Sequence, residues 1–387
     1  MRNTEAWVLH LGDGDARSPT RGELRREMIE LPVMGPDHVT LEPIYGCWEA
    51  NMDHAISRRP IDVCRDRGEA SVVLGNSGVV RVVEVGSAVT TTKPGDVCLL
   101  FGNGVSDPWG YMIKALAYDA PNTMGALAKR SVVHEKNVIP LPKNSRFTLK
   151  QWAAFSLRYV TAWANWRVAH GCWRVQMPDD SAPDSFVWGW GGGSTMGELV
   201  LAQRAGFKAA MIASSDARLA QIAELGIEPI DRRQFPDLSF DEDQFGSDRA
   251  YRARYSAAEA SFLQTVGDRT GGRGVSIFVD YIGTPVGRAT LRALARQGVV
   301  TTAGWKQGTS VRSQRALECI QRHVHVHTHF ARYSEACEAM NEAEATGWLP
   351  PIGDAAVWPW SEIQTLAAEY GAGRVADYFP LYQVNDP

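Results

Sequence analysis

The chain has no CxxC pair, no run of about 18 apolar residues and no large excess of either charge. The six cysteines (Cys47, Cys64, Cys98, Cys172, Cys319 and Cys337) are scattered over 387 residues. That spacing offers no structural zinc knot and suits reduced thiols in a cytoplasm. With no bilayer-length apolar stretch and no N-terminal apolar h-region, neither a membrane span nor secretion is expected. A formal net charge of −4 argues against nucleic acid or an anionic membrane as partner. What remains is an ordinary globular composition, 44% hydrophobic and 22% charged, long enough for two cored domains. Thirteen tryptophans are many for this length, and either packing or an aromatic-lined pocket accounts for them.

The most informative stretch is Val187–Gly197, an apolar run entering a glycine cluster, followed by the amphipathic Glu198–Ala205 and a second apolar run, Lys208–Ala213. Strand, glycine turn, helix and strand in that order form the unit that holds a dinucleotide pyrophosphate at a helix N-terminus. Gly189, Gly192 and Gly193 carry the motif; Ser194 or Thr195 stands where a last glycine is usual, and such a hydroxyl can bond a phosphate oxygen. About 20 residues on, an NAD site places a carboxylate for the ribose. Ser214 and Ser215 occupy that position here, with Arg218 shortly after. Two hydroxyls and a guanidinium suit a 2′-phosphate, so NADPH is the expected cofactor. Asp216 is the counter-signal, assigned instead to the following helix N-terminus.

Along the chain, residues 1–155 read as β structure and loops, with strands at Val39–Pro43, Val79–Val85 and Val97–Phe101. Phe147–Val168 has a helical pattern capped by Thr148. From 185 to about 330 strands alternate with helices, at Ser185–Trp190, Lys208–Ala213, Ser276–Asp280, Gly298–Thr302 and Val324–Thr328, which implies a parallel sheet with crossover helices. Asp237–Tyr255 reads as a polar surface insertion, and Ser334–Thr346 as a helix returning to the first domain.

A β-rich first domain, a Rossmann unit and a C-terminal return resemble the medium-chain dehydrogenase/reductase superfamily. The pattern of Trp188-Gly189…Gly192-Gly193, Ser214-Ser215, Ile230-Asp231-Arg232, Gly298…Thr301-Thr302 and His329-Phe330-Ala331-Arg332-Tyr333 is similar to its crotonyl-CoA carboxylase/reductase branch. Leu74-Gly75-Asn76-Ser77-Gly78 and Trp109-Gly110-Tyr111 extend the likeness into the first domain. The resemblance implies an α/β fold: a β-rich GroES-like catalytic domain at 1–155, completed by 335–387, and a Rossmann doubly wound parallel sheet at 156–334. It also implies NADPH, no zinc, and reduction of an α,β-unsaturated acyl thioester, in some members with capture of CO2. Zinc-using members keep a Cys near the first-domain turn and then Gly-His-Glu. Cys47 could be the first ligand, but Gly75 is followed by Asn76-Ser77.

By the same resemblance, Asn51, Tyr111 and His329 stand at the active site. Asn51 would polarise a carbonyl or position CO2, Tyr111 would supply a proton, and His329 would orient a carboxylate or water. A turn asparagine and a packing tyrosine are the plainer accounts of the first two. The acid that helps carboxylating members hold CO2 is replaced by Met112, so simple reduction is expected. The family's CoA-binding Arg-Tyr pair falls at Ala316-Leu317, with Arg315 and Arg312 nearby, which leaves a smaller enone open as substrate. The run His323, His325, His327, His329 puts four imidazoles on one face if it is all strand; an ordinary strand with Val324 and Val326 on its apolar face is the stronger account, and no metal is expected. The expectation is a zinc-independent, NADPH-dependent ene-reductase acting on a small-molecule substrate, cytoplasmic and homodimeric or homotetrameric. Reductive carboxylase, alcohol or cyclitol dehydrogenase, and non-catalytic cofactor-binding protein are the alternatives.

Overall fold

A computed structural model of the chain describes residues 2–12, 19–304, 306–308, 322–352 and 357–387. It divides into two compact units, Met1–Val160 with Ala331–Pro387, and Thr161–Phe330.

The first unit is built on β1 (Asn3–His10), β2 (Leu24–Glu30), β3 (His38–Cys47), β4 (Ser71–Val73), β5 (Gly78–Val85), β6 (Val97–Leu100), β7 (Asn103–Ser106), β8 (Met112–Ala115), β9 (Ser131–His134) and β10 (Val138–Pro140). One sheet runs β2-β1-β4. A second runs β10-β6-β5-β3 and ends on the C-terminal strand Leu381–Gln383, with β9 also on β3; β7 and β8 form a hairpin. Period-two patterning puts Val39 and Leu41, Val80 and Val82, and Cys98 and Leu100 into one core. Strand β3 continues past Pro43 to Cys47, beyond the expected end. The β3–β5 register shifts between Pro43 and Tyr45, so the ladder accommodates a residue with no N–H to donate.

Short helices α1 (Ala50–Ser57) and α2 (Val63–Arg67) follow β3. The helical stretch expected over Phe147–Val168 is two helices, α3 (Leu149–Phe155) and α4 (Arg158–Arg174). Thr148 caps α3 as expected: its hydroxyl accepts from Gln151 N while the Gln151 side chain accepts from Thr148 N.

The second unit carries β11 (Phe186–Trp190), α5 (Gly193–Arg204), β12 (Lys208–Ala213), α6 (Asp216–Glu224), β13 (Glu228–Asp231), α7 (Glu242–Ser247), α8 (Arg249–Thr270), β14 (Val275–Val279), α9 (Thr284–Ala293), β15 (Leu294–Thr302) and β16 (His325–Thr328). Its sheet is parallel, in the order β13-β12-β11-β14-β15-β16. The order reverses between β11 and β14, and in such sheets ligands bind beyond the carboxyl ends of the strands at that switch. With both faces covered, β11 and β14 are buried at every residue.

The segment Asp237–Tyr255 is largely exposed, as expected of a polar surface stretch, but it is helical and anchored. Asp248 accepts from Ala250 N and Tyr251 N and so starts α8 inside it. Tyr255 is fully buried, its ring against Phe240 and Phe245. The charged residues around it belong to the exposed faces of α7 and α8.

The C-terminal segment locks onto β3 through Gly46. Tyr382 pairs with Gly46 in register, and a Cβ on Gly46 would lie 2.1 Å from the Tyr382 ring. Gly46→Ala should therefore destabilise the chain by about 3 kcal/mol through overpacking, read as a lower denaturant midpoint. An unchanged midpoint would show that the C-terminal strand does not pack there.

Candidate functional site

The carboxyl edge of β11 turns through Gly191 and Gly192 into α5. Gly192 is the N-cap and supplies no side-chain oxygen, so the first-turn N–H groups of Gly193, Ser194 and Thr195 are left without an intrahelical acceptor. Together with the helix dipole they make a positive end suited to an anion. A Cβ on Gly192 would find only Thr195 Oγ1, at 3.8 Å, so the approach over the bend is open. The Thr195 hydroxyl, which the sequence offered to a phosphate, donates instead to Trp190 O at 2.9 Å. Its Cγ2 lies 2.3 Å from where a Gly189 Cβ would be, with Val279 Cβ at 3.2 Å. Gly189 is thus needed for close strand–helix packing, and Thr195 contributes its backbone N–H rather than its side chain.

Next to this bend, β12 ends at Ala213. Ser214 is exposed, and Ser215 caps α6, its Oγ accepting from Arg218 N at 3.4 Å. Asp216 opens α6 and is held by Arg233 at 2.5 Å; Arg233 also binds Asp231 at 2.8 Å. Since Ala213 and Asp231 are paired in the sheet, Ser214–Arg218 and Asp231–Arg233 form one rim. Sequence reasoning did not single out Arg232 and Arg233. Their signal was the Ile230-Asp231-Arg232 match, which becomes informative once β13 is known to lie beside β12. The Arg232 guanidinium sits 5.8 Å from the Trp190 ring centroid.

At the end of β14, buried Asp280 accepts from Ile282 N and Gly283 N, both at 2.9 Å, and from Thr290 Oγ1 at 3.0 Å. Burial still pushes its carboxyl up to about 6, against those donors and nearby Arg232. The next residue, Tyr281, reaches Glu198 of α5 and Asn165 of α4. His329 follows β16, is buried, and donates its backbone N–H to Thr302 O at 3.1 Å.

In the first unit, Asn51 is the second residue of α1 and donates to Asn76 Oδ1 at 3.1 Å, while its own Oδ1 is buried and unpartnered. Beside it, Arg158 donates to Cys47 Sγ at 2.6 Å and to Trp48 O at 2.7 Å and pairs with Glu49 at 3.0 Å. Burial drives the Cys47 thiol up to about 12 and the Glu49 carboxyl up to about 7, the latter despite Arg158. The Ser77 hydroxyl donates to Cys47 O. Tyr111 lies before β8 with its backbone N on Asp107 and its ring 5.0 Å from the Arg332 guanidinium; Met112 opens β8. Thus Asn51 is brought to Asn76, whereas Tyr111 belongs to the hairpin region. Arg312, Arg315, Ala316 and Leu317 lie outside the described residues.

The histidine run is a strand only from His325 to Thr328; His323 has a left-handed φ of 53°. His325 and Val326 are exposed on this edge strand, so neither expected face holds in full. Both His327 ring nitrogens are buried without a hydrogen-bond partner, and burial followed by His329 and His325 drives its pKa down to about 4. Among the described residues, no three His, Cys, Asp or Glu side chains gather to hold a metal. The same residues include no helix long and apolar enough to cross a membrane.

No protein-family model matches the chain, and comparison with curated proteins finds no match. Solved structures do share the fold. The crotonyl-CoA carboxylase/reductase AntE in complex with NADP aligns at a TM-score of 0.79 and 20% identity, over 99% of this chain and 95% of that one. The 2-octenoyl-CoA carboxylase reductase CinF in complex with NADP and 2-octenoyl-CoA aligns at 0.79 and 19%, over 98% and 87%. An alcohol dehydrogenase from Aeropyrum pernix aligns at 0.73 and 18%, over 98% and 99%. The chain therefore has the medium-chain dehydrogenase/reductase fold, a GroES-like β-rich unit with a Rossmann sheet.

The Gly189–Thr195 contact can be tested without reference to any ligand. Gly189→Ala should cost about 2 kcal/mol of unfolding free energy, and adding Thr195→Ser, which removes Cγ2 but keeps the hydroxyl, should restore about half of it. Additive losses in the double variant would refute the contact.

Proposed function

We propose that the chain is a zinc-independent, NADPH-dependent ene-reductase that reduces an activated C=C, in an enoyl thioester or a biosynthetic enone, without carboxylation. The observation that carries the metal-free part is the Cys47–Arg158 pair. The Cys47 sulfur is engaged by the Arg158 guanidinium at 2.6 Å, and Asn76 and Ser77 follow Gly75 where zinc-using relatives of this pattern carry an imidazole and a carboxylate. An acceptor activated by hydrogen bonds alone favours a conjugated C=C over an alcohol.

NADPH fits the residues present. The first turn of α5 offers N–H groups to a pyrophosphate over the open Gly192, and Ser214, Ser215 and Arg218 offer hydroxyls and a guanidinium to a 2′-phosphate. The complexes of AntE and CinF with NADP support the same choice. When bound, NADPH supplies a hydride for the β-carbon of the substrate. Ser215 accepts from Arg218 N, which leaves its hydroxyl proton to donate. Asn76 takes one Asn51 Nδ2 hydrogen, leaving a second to stabilise an enolate oxygen. Tyr111 and His329 remain the candidate proton donor and hydrogen-bonding partner. Met112 in place of an acid speaks for reduction without CO2.

Purified chain should oxidise NADPH in the presence of enoyl-CoAs or cyclic enones, unaffected by chelators and without bicarbonate-dependent product mass. Turnover confined to alcohols or ketones, or loss of activity on chelation, would reject the reading in favour of an alcohol or cyclitol dehydrogenase. Incorporated CO2 would make it a reductive carboxylase. Arg218→Glu should raise the NADPH Kd by about tenfold or more while leaving that for NADH within about threefold.

A further inference from the structure

Glu198 is fully buried on α5, and its function is not explained by the glycine bend five residues earlier. Its Oε1 lies 2.5 Å from Tyr281 Oη, and Tyr281 Oη lies 2.6 Å from the side-chain amide of Asn165. The other contacts of that amide are to backbone at the end of β15, and they decide its orientation. One amide atom faces Thr302 O at 3.2 Å and the other faces Ala303 N at 3.2 Å, so the nitrogen must point to Thr302 and Oδ1 to Ala303 and Tyr281.

The proton positions then follow. Asn165 Oδ1 is an acceptor, so Tyr281 must donate its single hydroxyl proton to it. With that proton used, the 2.5 Å contact between Tyr281 Oη and Glu198 needs a proton on Glu198. The backbone of Thr302 and Ala303 thereby dictates the protonation state of a carboxyl two side chains away. Burial acts in the same direction, raising the Glu198 pKa well above its ordinary value. Tyr281 is the titratable group facing Glu198 from the β14 end, and Asn165 faces it from α4 as a neutral amide. Asp280 turns instead to Ile282 N, Gly283 N and Thr290, with Arg232 beside it.

We propose that neutral Glu198, Tyr281 and Asn165 form a proton-ordered chain that fixes the backbone of Thr302 and Ala303, making the three positioning residues of the crevice at the carboxyl ends of β14 and β15. The effect on nucleotide binding rests on the function proposed above; the chain of hydrogen bonds does not. Ionising Glu198 removes the donor to Tyr281, turns the tyrosine proton toward the carboxylate and leaves Asn165 without it, so the hold on residues 302–303 weakens.

Three measurements on the full chain test this. The first compares unfolding of wild type and Glu198→Gln as pH rises. A neutral buried carboxyl has a folded pKa above its unfolded one, so its stabilising contribution is complete below the unfolded pKa and lost toward the folded one. The unfolding constant of wild type relative to Glu198→Gln should therefore rise about tenfold per pH unit in that window. A flat ratio, or one that falls with pH, means an unshifted or ionised Glu198 and overturns the proposal. The second is hydrogen exchange at the Ala303 amide, which Tyr281→Phe should accelerate by about tenfold at neutral pH while Glu198→Gln, able to donate to Tyr281, leaves it within about threefold. Equal acceleration in both variants, or none in either, also overturns it. The third is the NADPH Kd, which should weaken with rising pH in wild type and not in Glu198→Gln; the same pH dependence in both variants removes the positioning role. Absence of NADPH binding to wild type refutes the proposed function and with it the role in nucleotide binding, while the first two measurements still judge the hydrogen-bond chain.

Discussion

The close approach of β11 to α5 sets most of what the second unit can do. Thr195 returns its hydroxyl to Trp190 O and presses its methyl against Gly189, and this fixes where the helix starts relative to the strand. A helix pinned there presents its first-turn N–H groups beyond the strand end without a side chain over them. Met196, Gly197, Glu198 and Leu199 are all buried, and four consecutive positions reach most of the way round a helix, so α5 is covered on nearly every side and carries a carboxyl into the interior.

Two buried carboxyls at that edge show how hydrogen bonding divides similar groups. Asp280 has two backbone N–H donors from the start of α9 and a threonine hydroxyl, with Arg232 near, so its ionised form is supported and burial lifts its pKa only to about 6. Glu198 has a single tyrosine oxygen on one side, and its Oε2 has no partner. With so little to stabilise a charge, the neutral acid is the better-satisfied form. Asp280 therefore acts as an acceptor that anchors the β14–α9 turn, whereas Glu198 acts as a donor.

Much of the local structure was legible in the residues. The glycine bend, the parallel-sheet strands and the Thr148 cap are short-range signals, each set by periodicity or by a few neighbours in sequence. The start of α8 was not, and the reason is specific. Its buried stripe, Tyr255, Ala258, Glu259, Phe262, Val266 and Thr270, has helical spacing but includes a carboxylate. Glu259 is tolerated there because Arg288 lies at 3.0 Å and Arg292 also binds it, partners from α9 that no local pattern shows. Arg233 was missed for a similar reason, since it meets Asp216 only when β12 and β13 pair. The Glu198–Tyr281 contact spans 83 residues and the Cys47–Arg158 contact 111, so neither could be read from spacing.

The Cys47–Arg158 contact bears directly on the chemistry. Arg158 is itself buried and binds Cys47, Trp48 O and Glu49 together, so its charge is neutralised within the cluster rather than offered outward. A cation at Cys47 would have to displace Arg158 from the sulfur, from Trp48 O and from Glu49. Asn76 and Ser77, the residues that follow Gly75, bring no charged ligand to offset that loss. The guanidinium thereby holds the end of β3 against the start of α4 through three contacts of different chemistry, to a sulfur, a backbone carbonyl and a carboxyl.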